Sequence, residues 1–235
     1  MNTPDTIQEL VERAFAVLQR EPVSLTGSSR TDAAVHALQN FFHFDYEGSI
    51  HPQFLYKINS ILPRDIVIKN IYTVAPEAHC RFDAITRVYE YHIYQHKNPF
   101  LEETAYYFPY ALDMDKMQEA AAVLTTYHDF TAFSKRNTQV KTFTCNIMES
   151  EWRTGENEII YHVKSNRFLR GMVRGLAGTQ LQIGRGKLSM DAFKKTIEGR
   201  DCTKADFSVP GHGLFLIRVE YPDGLLTLAP GIIQS

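Results

Sequence analysis

Ile7, Leu10, Val11, Ala14 and Leu18 recur at helical spacing, and Pro4 behind Thr3 suits a first turn, so the chain opens with an amphipathic helix. A short apolar run, Val23 to Leu25, leads into a stretch of small and polar residues from Gly27 to Ala37 that reads as a loop. Beyond it Phe42, Phe44 and Tyr46 alternate as a strand does. Pro52 can start a second helix through Ile61, Ile66 to Val74 reads as a strand, and Arg87 to Tyr94 places Tyr89, Tyr91 and Ile93 on one strand face. Asp113 caps a third helix to about Leu124. Thr142–Arg153 and Glu158–Lys164 then pair around the turn Gly155-Glu156-Asn157. The segment from Phe168 to Ile183 carries Leu169, Met172, Val173, Leu176 and Ala177 on one side, with Gly184 at its end, and predicts a strong helix holding Arg170 and Arg174 four residues apart. Ser189 caps a last helix to Glu198, and Leu214 to Tyr221 forms a final strand.

This order predicts an α+β protein. Helix, strands, helix and strand recur in both halves without a residue-level repeat, so we expect two similar lobes, each a mostly antiparallel sheet with helices packed on one face. With no low-complexity linker to separate them, the boundary is placed near residue 105, giving lobes 1–105 and 106–235.

Composition narrows the class. The chain has 235 residues, 44% hydrophobic and 22% charged, near the average for globular domains. No apolar run could span a membrane, and the acidic amphipathic N-terminus lacks the basic flank of a secretory signal, so a cytoplasmic protein is expected. Cys80, Cys145 and Cys202 lie far apart without a CxxC pair, which argues for apolar fillers rather than disulfides or structural zinc. The net charge of −2 hides an asymmetry: from Lys164 to Arg200 nine basic residues face only Asp191 and Glu198, a local excess of about +7. A polyanion would be drawn to such a face, although a solvated charged surface has the same composition.

The densest polar cluster is Gly27-Ser28-Ser29-Arg30-Thr31-Asp32-Ala33-Ala34-Val35-His36-Ala37, where small residues surround an arginine, a carboxylate and a histidine. Such loops let backbone approach a ligand closely, and a turn whose Asp satisfies local amides looks the same by composition. His92 and His96 have helical spacing but fall on a predicted strand with no carboxylate cluster, so no metal centre is expected. No phosphate-cradling or dinucleotide fingerprint is present, so no cofactor is expected either.

The loop resembles the GxGRTDxGVHA signature of the bacterial tRNA pseudouridine synthase A family. His79-Cys80-Arg81-Phe82-Asp83-Ala84, followed by Arg87-Val88-Tyr89-Glu90-Tyr91, is similar to that family's HARFSA segment and R-x-Y-x-Y strand. Asn166-Arg167-Phe168-Leu169, Met172-Val173-Arg174 and Gly178-Thr179 through Gly184-Arg185-Gly186-Lys187 resemble its FLxxMVRxxxGTxxxxGxGK helix. Asp129-Phe130-Thr131-Ala132-Phe133 adds a weaker match. Three ordered motifs over some 160 residues make the resemblance specific.

The resemblance implies an isomerase that converts uridine to pseudouridine in the tRNA anticodon stem-loop, at positions 38 to 40, without metal or cofactor. It implies a homodimer and an RNA cleft between the two lobes. Asp32 would be the nucleophile, Arg174 would stabilise its charged form, and Tyr89 would pack on the target base and accept a proton late. The uridine must be flipped out of its stack, with Arg30 contacting the RNA near it, while Arg81, Arg167, Arg170, Arg185 and Lys187 would grip the RNA. His36 reads as structural.

Two departures qualify the match. Family members begin with a strand and a Gly-Trp-Gln loop ahead of the first helix, whereas this sequence starts at the corresponding helix, which would leave a sheet edge open. Ser29 and Ala34 stand where the family has glycine; a positive φ at either would add strain of about 1 kcal/mol or more. These departures leave a second reading, a catalytically impaired tRNA-binding homologue. A hydrolase using Asp32 and His36 is a third.

Overall fold

The computed structural model describes residues 6–136 and 140–233. Thr6 opens helix α1 (Ile7–Gln19) with a capping box: its side chain accepts from the Glu9 amide while the Glu9 carboxylate accepts from the Thr6 amide. The expected start at Thr3 and Pro4 lies outside the described residues. Val11, Ala14 and Phe15 of α1 join Leu25 and, from α2 (Phe54–Ile61), Phe54 and Ile58 in one buried cluster.

Phe42, Phe44 and Tyr46 do pack on this cluster, Phe44 and Tyr46 edge-on to Phe15 at 5.2 Å. Only Phe42–His43 (β3) is paired, however, antiparallel to Thr26–Gly27 (β1). The expected strand from Ile66 to Val74 likewise shrinks to Tyr72–Thr73 (β4), paired with Thr227–Leu228 (β10). Alternation reports which side chains are buried; it does not report whether a backbone partner lies alongside.

The long ladder is elsewhere. Strands β2 (His36–Ala37), β5 (Thr86–Tyr94), β6 (Tyr106–Tyr107), β7 (Ile147–Thr154), β8 (Ile159–Ser165) and β9 (Leu214–Glu220) make a six-stranded sheet in the order β2-β9-β5-β8-β7, with β6 also on β5. β5, β7, β8 and β9 run antiparallel, and β2 and β6 add in parallel. The expected hairpin is present, with the Gly155 amide donating to the Glu158 carbonyl at 2.8 Å. Helices α3 (Met114–Val123), α4 (Met172–Gly184) and α5 (Met190–Glu198) belong to the same unit, α3 packed on β7 and α4 on β5. Tyr91 faces Tyr161 across the β5–β8 pair, and both are fully buried, with Met117, Met172, Leu176 and Phe193. Glu90 and Glu149 flank the His162 ring at 3.1 Å each, a polar set two-residue alternation keeps off the core face.

Two units emerge from the contacts: Met1–Arg30 with Phe41–Ala84 and Tyr221–Ser235, and Thr31–Asn40 with Ile85–Glu220. A boundary near residue 105 does not coincide with them, because β5 before it pairs with β8 and β9 after it and a cut there would sever the sheet. The architecture is α+β with mostly antiparallel strands. No helix among the described residues is long and apolar enough to cross a membrane.

Candidate active site

Asp32 belongs to the second unit, although the residues that lead into its loop belong to the first. Strand β2 pulls it there: His36 and Ala37 pair with Phe215 and Leu216 of β9, the Leu38 amide donates to the Leu216 carbonyl at 2.9 Å, and Gln39 Oε1 accepts from the Val219 amide at 3.0 Å. His36 is committed to this scaffold, stacked on Phe215 at 4.5 Å and donating Nε2–H to the Glu103 carbonyl. Just ahead, the Val35 amide donates to the Asp32 carbonyl and closes a turn in which Ala34 has φ +63. Of the two positions where the family signature has glycine, Ala34 is therefore the strained one; Ser29 is not among the described residues with positive φ. Gly211 lies against the turn, where a Cβ would meet the Ala33 carbonyl oxygen at 2.6 Å.

Helix α4 begins at Met172, not at Phe168. Gly171 takes φ +73, a conformation that a helix cannot propagate through, and the residues before it form a turn closed by the Met172 amide on the Leu169 carbonyl. Arg170 and Arg174 consequently do not share one helical face. At the other end Gly184 is the last helical residue, as expected, and the chain leaves through Gly186 at φ +69.

Two further glycines of α4 let the segment 206–209 lie directly on the helix. A Cβ at Gly175 would meet the Phe207 ring at 2.7 Å, and one at Gly178 would collide with the Asp206 carbonyl oxygen. The segment is pinned there: the Asp206 amide donates to Thr179 Oγ1 at 2.9 Å, and the Asp206 carboxylate accepts from the Ser208 amide at 2.8 Å and Gln182 Nε2 at 2.6 Å. Burial works against the Asp206 anion, but the hydrogen bonds from Ser208 and Gln182 prevail and hold its pKa below the usual carboxylate range. This crossing brings the Val209 carbonyl to 2.8 Å from Arg174 Nε, and Arg174 in turn faces Asp32, Nη1 to Oδ2 at 3.6 Å. The Arg174 side chain is 17% exposed and that of Asp32 40%. A carboxylate accessible to a reactant, with a guanidinium fixed behind it by the backbone, is suited to nucleophilic or charge-stabilising work.

Tyr89 sits on β5 at the irregularity where the register with β9 shifts between Val88 and Tyr89, a device that re-aims side chains beside functional sites. It is buried and packs edge-on to Phe168 at 5.0 Å, in the turn ahead of α4. Tyr91, two residues on, donates to the Pro210 carbonyl at 2.9 Å; burial pushes its phenol pKa far up, with the Arg174 charge pulling the other way. Its hydroxyl stays protonated and clamps the same segment that holds Arg174.

The six basic residues expected to contact RNA are distributed over both units. Arg30 and Arg81 are exposed in the first unit. Arg167 and the exposed Arg170 flank the turn before α4, and Arg185 and the exposed Lys187 follow its end. Arg185 lies over the Tyr110 ring at 3.7 Å, with Phe108 at 5.8 Å. The local charge excess is also smaller than the sequence suggests, because Lys164 pairs with Glu220 and Arg200 with Asp129, both at 2.9 Å. Of the cysteines only Cys145 is a buried filler, its thiol pushed up to about 11 by burial; Cys80 and Cys202 are half-exposed.

Sequence reasoning passed over Val209, Pro210, Gly211 and Gly213, which brace Arg174, Tyr91 and the Asp32 turn. The signal available was the Pro-Gly-His-Gly cluster between a capped helix and the last strand, where close backbone approach is the ordinary use of glycine.

The profile of a protein family described as tRNA pseudouridine synthase matches residues 120–222. Over nearly the whole chain the sequence is similar to proteins named tRNA pseudouridine synthase A. That of Parabacteroides distasonis is 47% identical, covering 94% of this chain and 88% of the relative. That of Bacteroides fragilis is 46% identical over 92% and 87%, and that of Bacillus subtilis 37% over 92% and 90%. Taken with the Asp32–Arg174 pair on its sheet-anchored loop, this extent of identity shows that the chain belongs to the tRNA pseudouridine synthase A family.

Proposed function

We propose that this protein isomerises uridine to pseudouridine in the anticodon stem-loop of tRNA, at positions 38 to 40, with Asp32 as nucleophile. The observation that carries the reading is the pair itself: the Asp32 carboxylate 3.6 Å from Arg174, whose Nε is tied to the Val209 carbonyl. In the reaction the bond between the ribose and N1 of uracil breaks, a bond from the ribose to C5 forms, and the C5 hydrogen leaves as a proton. Asp32 forms the covalent intermediate by attack on ribose or base. Tyr89 packs on the flipped base and is the acceptor for the proton lost late. Arg30, Arg81, Arg167, Arg170, Arg185 and Lys187 contact the RNA, mostly through phosphate. The active form is a homodimer, no metal or cofactor takes part in the chemistry, and the protein works in the cytoplasm.

Mapping pseudouridine in a tRNA transcript by carbodiimide modification and primer extension tests the site of reaction. New stops at positions 38 to 40 are the expected result; stops confined to another arm would overturn the target. Ala34 at φ +63 favours one alternative, an impaired homologue that binds tRNA, for which no stops appear while binding persists.

A further inference from the structure

We infer that His43, His79 and Cys80, all in the first unit, form a binding site for one zinc-class divalent cation that shares no residue with the Asp32 site. One ring nitrogen of each histidine and the Cys80 sulfur lie within 4.8 Å of one another. They converge from two segments, His43 on β3 and His79-Cys80 in a turn, with Cys80 37 positions after His43. No motif spacing announces such a site, which is why the sequence gives no hint of a metal.

The backbone holds all three side chains in place. The turn is closed by the Phe82 and Asp83 amides on the His79 carbonyl, at 3.1 and 3.0 Å, and by the His79 amide on the Asp83 carboxylate at 2.7 Å. β3 is held by pairing of Thr26 with His43, and the Cys80 thiol donates to the Thr26 carbonyl at 3.0 Å. The two imidazoles meet edge to face, 4.7 Å between centroids. Their Nδ1 atoms accept only long hydrogen bonds, from the Cys80 and Arg81 amides at 3.2 Å each, which metal ligation can replace.

The donor set fits the ion. A thiolate and two neutral imidazoles suit borderline-soft Zn²⁺ and leave a fourth position for water. With Zn–S near 2.3 Å and Zn–N near 2.0 Å, tetrahedral ligands stand about 3.5 Å apart, so closure by about 1 Å through side-chain rotation completes the site. Binding releases the thiol proton to solvent and exchanges the Thr26 contact for a metal–sulfur bond. The ion would clip β3 to the turn that carries Arg81. The competing account, a cluster held by hydrogen bonds alone, makes the opposite prediction for metal titration.

The full chain, stripped with chelator and then titrated with Co²⁺ and Zn²⁺, decides between them. We expect one Co²⁺ to bind with a thiolate-to-cobalt charge-transfer band and tetrahedral visible bands. Cys80→Ser abolishes the charge-transfer band, and Cys202→Ser retains it. His43→Gln and His79→Gln each weaken Zn²⁺ binding by about ten- to a hundredfold. Zinc also raises the melting temperature of the parent but not of Cys80→Ser. Absence of a charge-transfer band, its survival in Cys80→Ser, or equal Zn²⁺ affinity in parent and histidine variants would overturn the site. None of these readouts depends on pseudouridine formation.

Discussion

Arg174 and Arg185 sit near opposite ends of α4, about 16 Å apart along its axis, and the molecule treats them differently. Arg174 has one edge tied to the Val209 carbonyl and another facing Asp32, with 17% of its side chain exposed. The Arg185 guanidinium carbon lies over the Tyr110 ring, 3.7 Å from its centroid, a cation–π contact rather than a backbone anchor. Sequence motifs name both residues in one run, and charge counting weighs them equally. The difference lies in what crosses the helix: the segment 206–209 reaches Arg174 because Gly175 and Gly178 admit it, whereas aromatic side chains await Arg185. Under the proposed function, Arg174 is the arginine held for chemistry and Arg185 the one that contacts RNA.

Substitutions should separate the two roles. Arg174→Lys replaces a planar fork by a point charge that cannot hold Val209 and face Asp32 together, so kcat for pseudouridine formation should fall by about 10²–10³-fold. Filter binding should show little change in tRNA affinity for that variant. Gly178→Ala forces a Cβ against the Asp206 carbonyl, and chemical denaturation should show a loss of about 1–3 kcal/mol. Single-turnover rates should drop with it, since the displaced segment carries the Val209 carbonyl. Arg185→Ala should leave single-turnover chemistry unchanged and weaken tRNA binding by about five- to tenfold, near 1 kcal/mol. The slope of log affinity against log salt should shrink by about 1 if the guanidinium contacts phosphate. Ala34→Gly relieves the left-handed backbone but frees the unfolded chain, so denaturant midpoints should report a net gain of only roughly 0.5 kcal/mol.

The same helix shows where reading a sequence succeeds and where it stops. The α5 helix with its Ser189 cap, the α3 helix with its Asp113 cap and the β7–β8 hairpin follow from local rules, because a cap or turn is satisfied by residues a few positions away. The start of α4 does not, because Leu169 keeps the apolar period and only the positive φ of Gly171 breaks the helix. The Asp32 loop is recognisable by its residues, but its attachment to β9 is a long-range parallel pairing that no local pattern encodes. Arg174 could be named from the motif; its anchor on Val209, 35 residues along the chain, could not. The short strands of the first unit make the complementary point, since Phe44 and Tyr46 obey the alternation and still have no ladder.

The most direct test is release of tritium from C5 of uridine-labelled tRNA by the parent protein and by Asp32→Ala, with tRNA binding measured for both. Release by the parent and none by the variant, at equal binding, is the predicted result. Equal release by both would remove Asp32 from the chemistry, and no release by either with binding retained would contradict the enzyme reading itself.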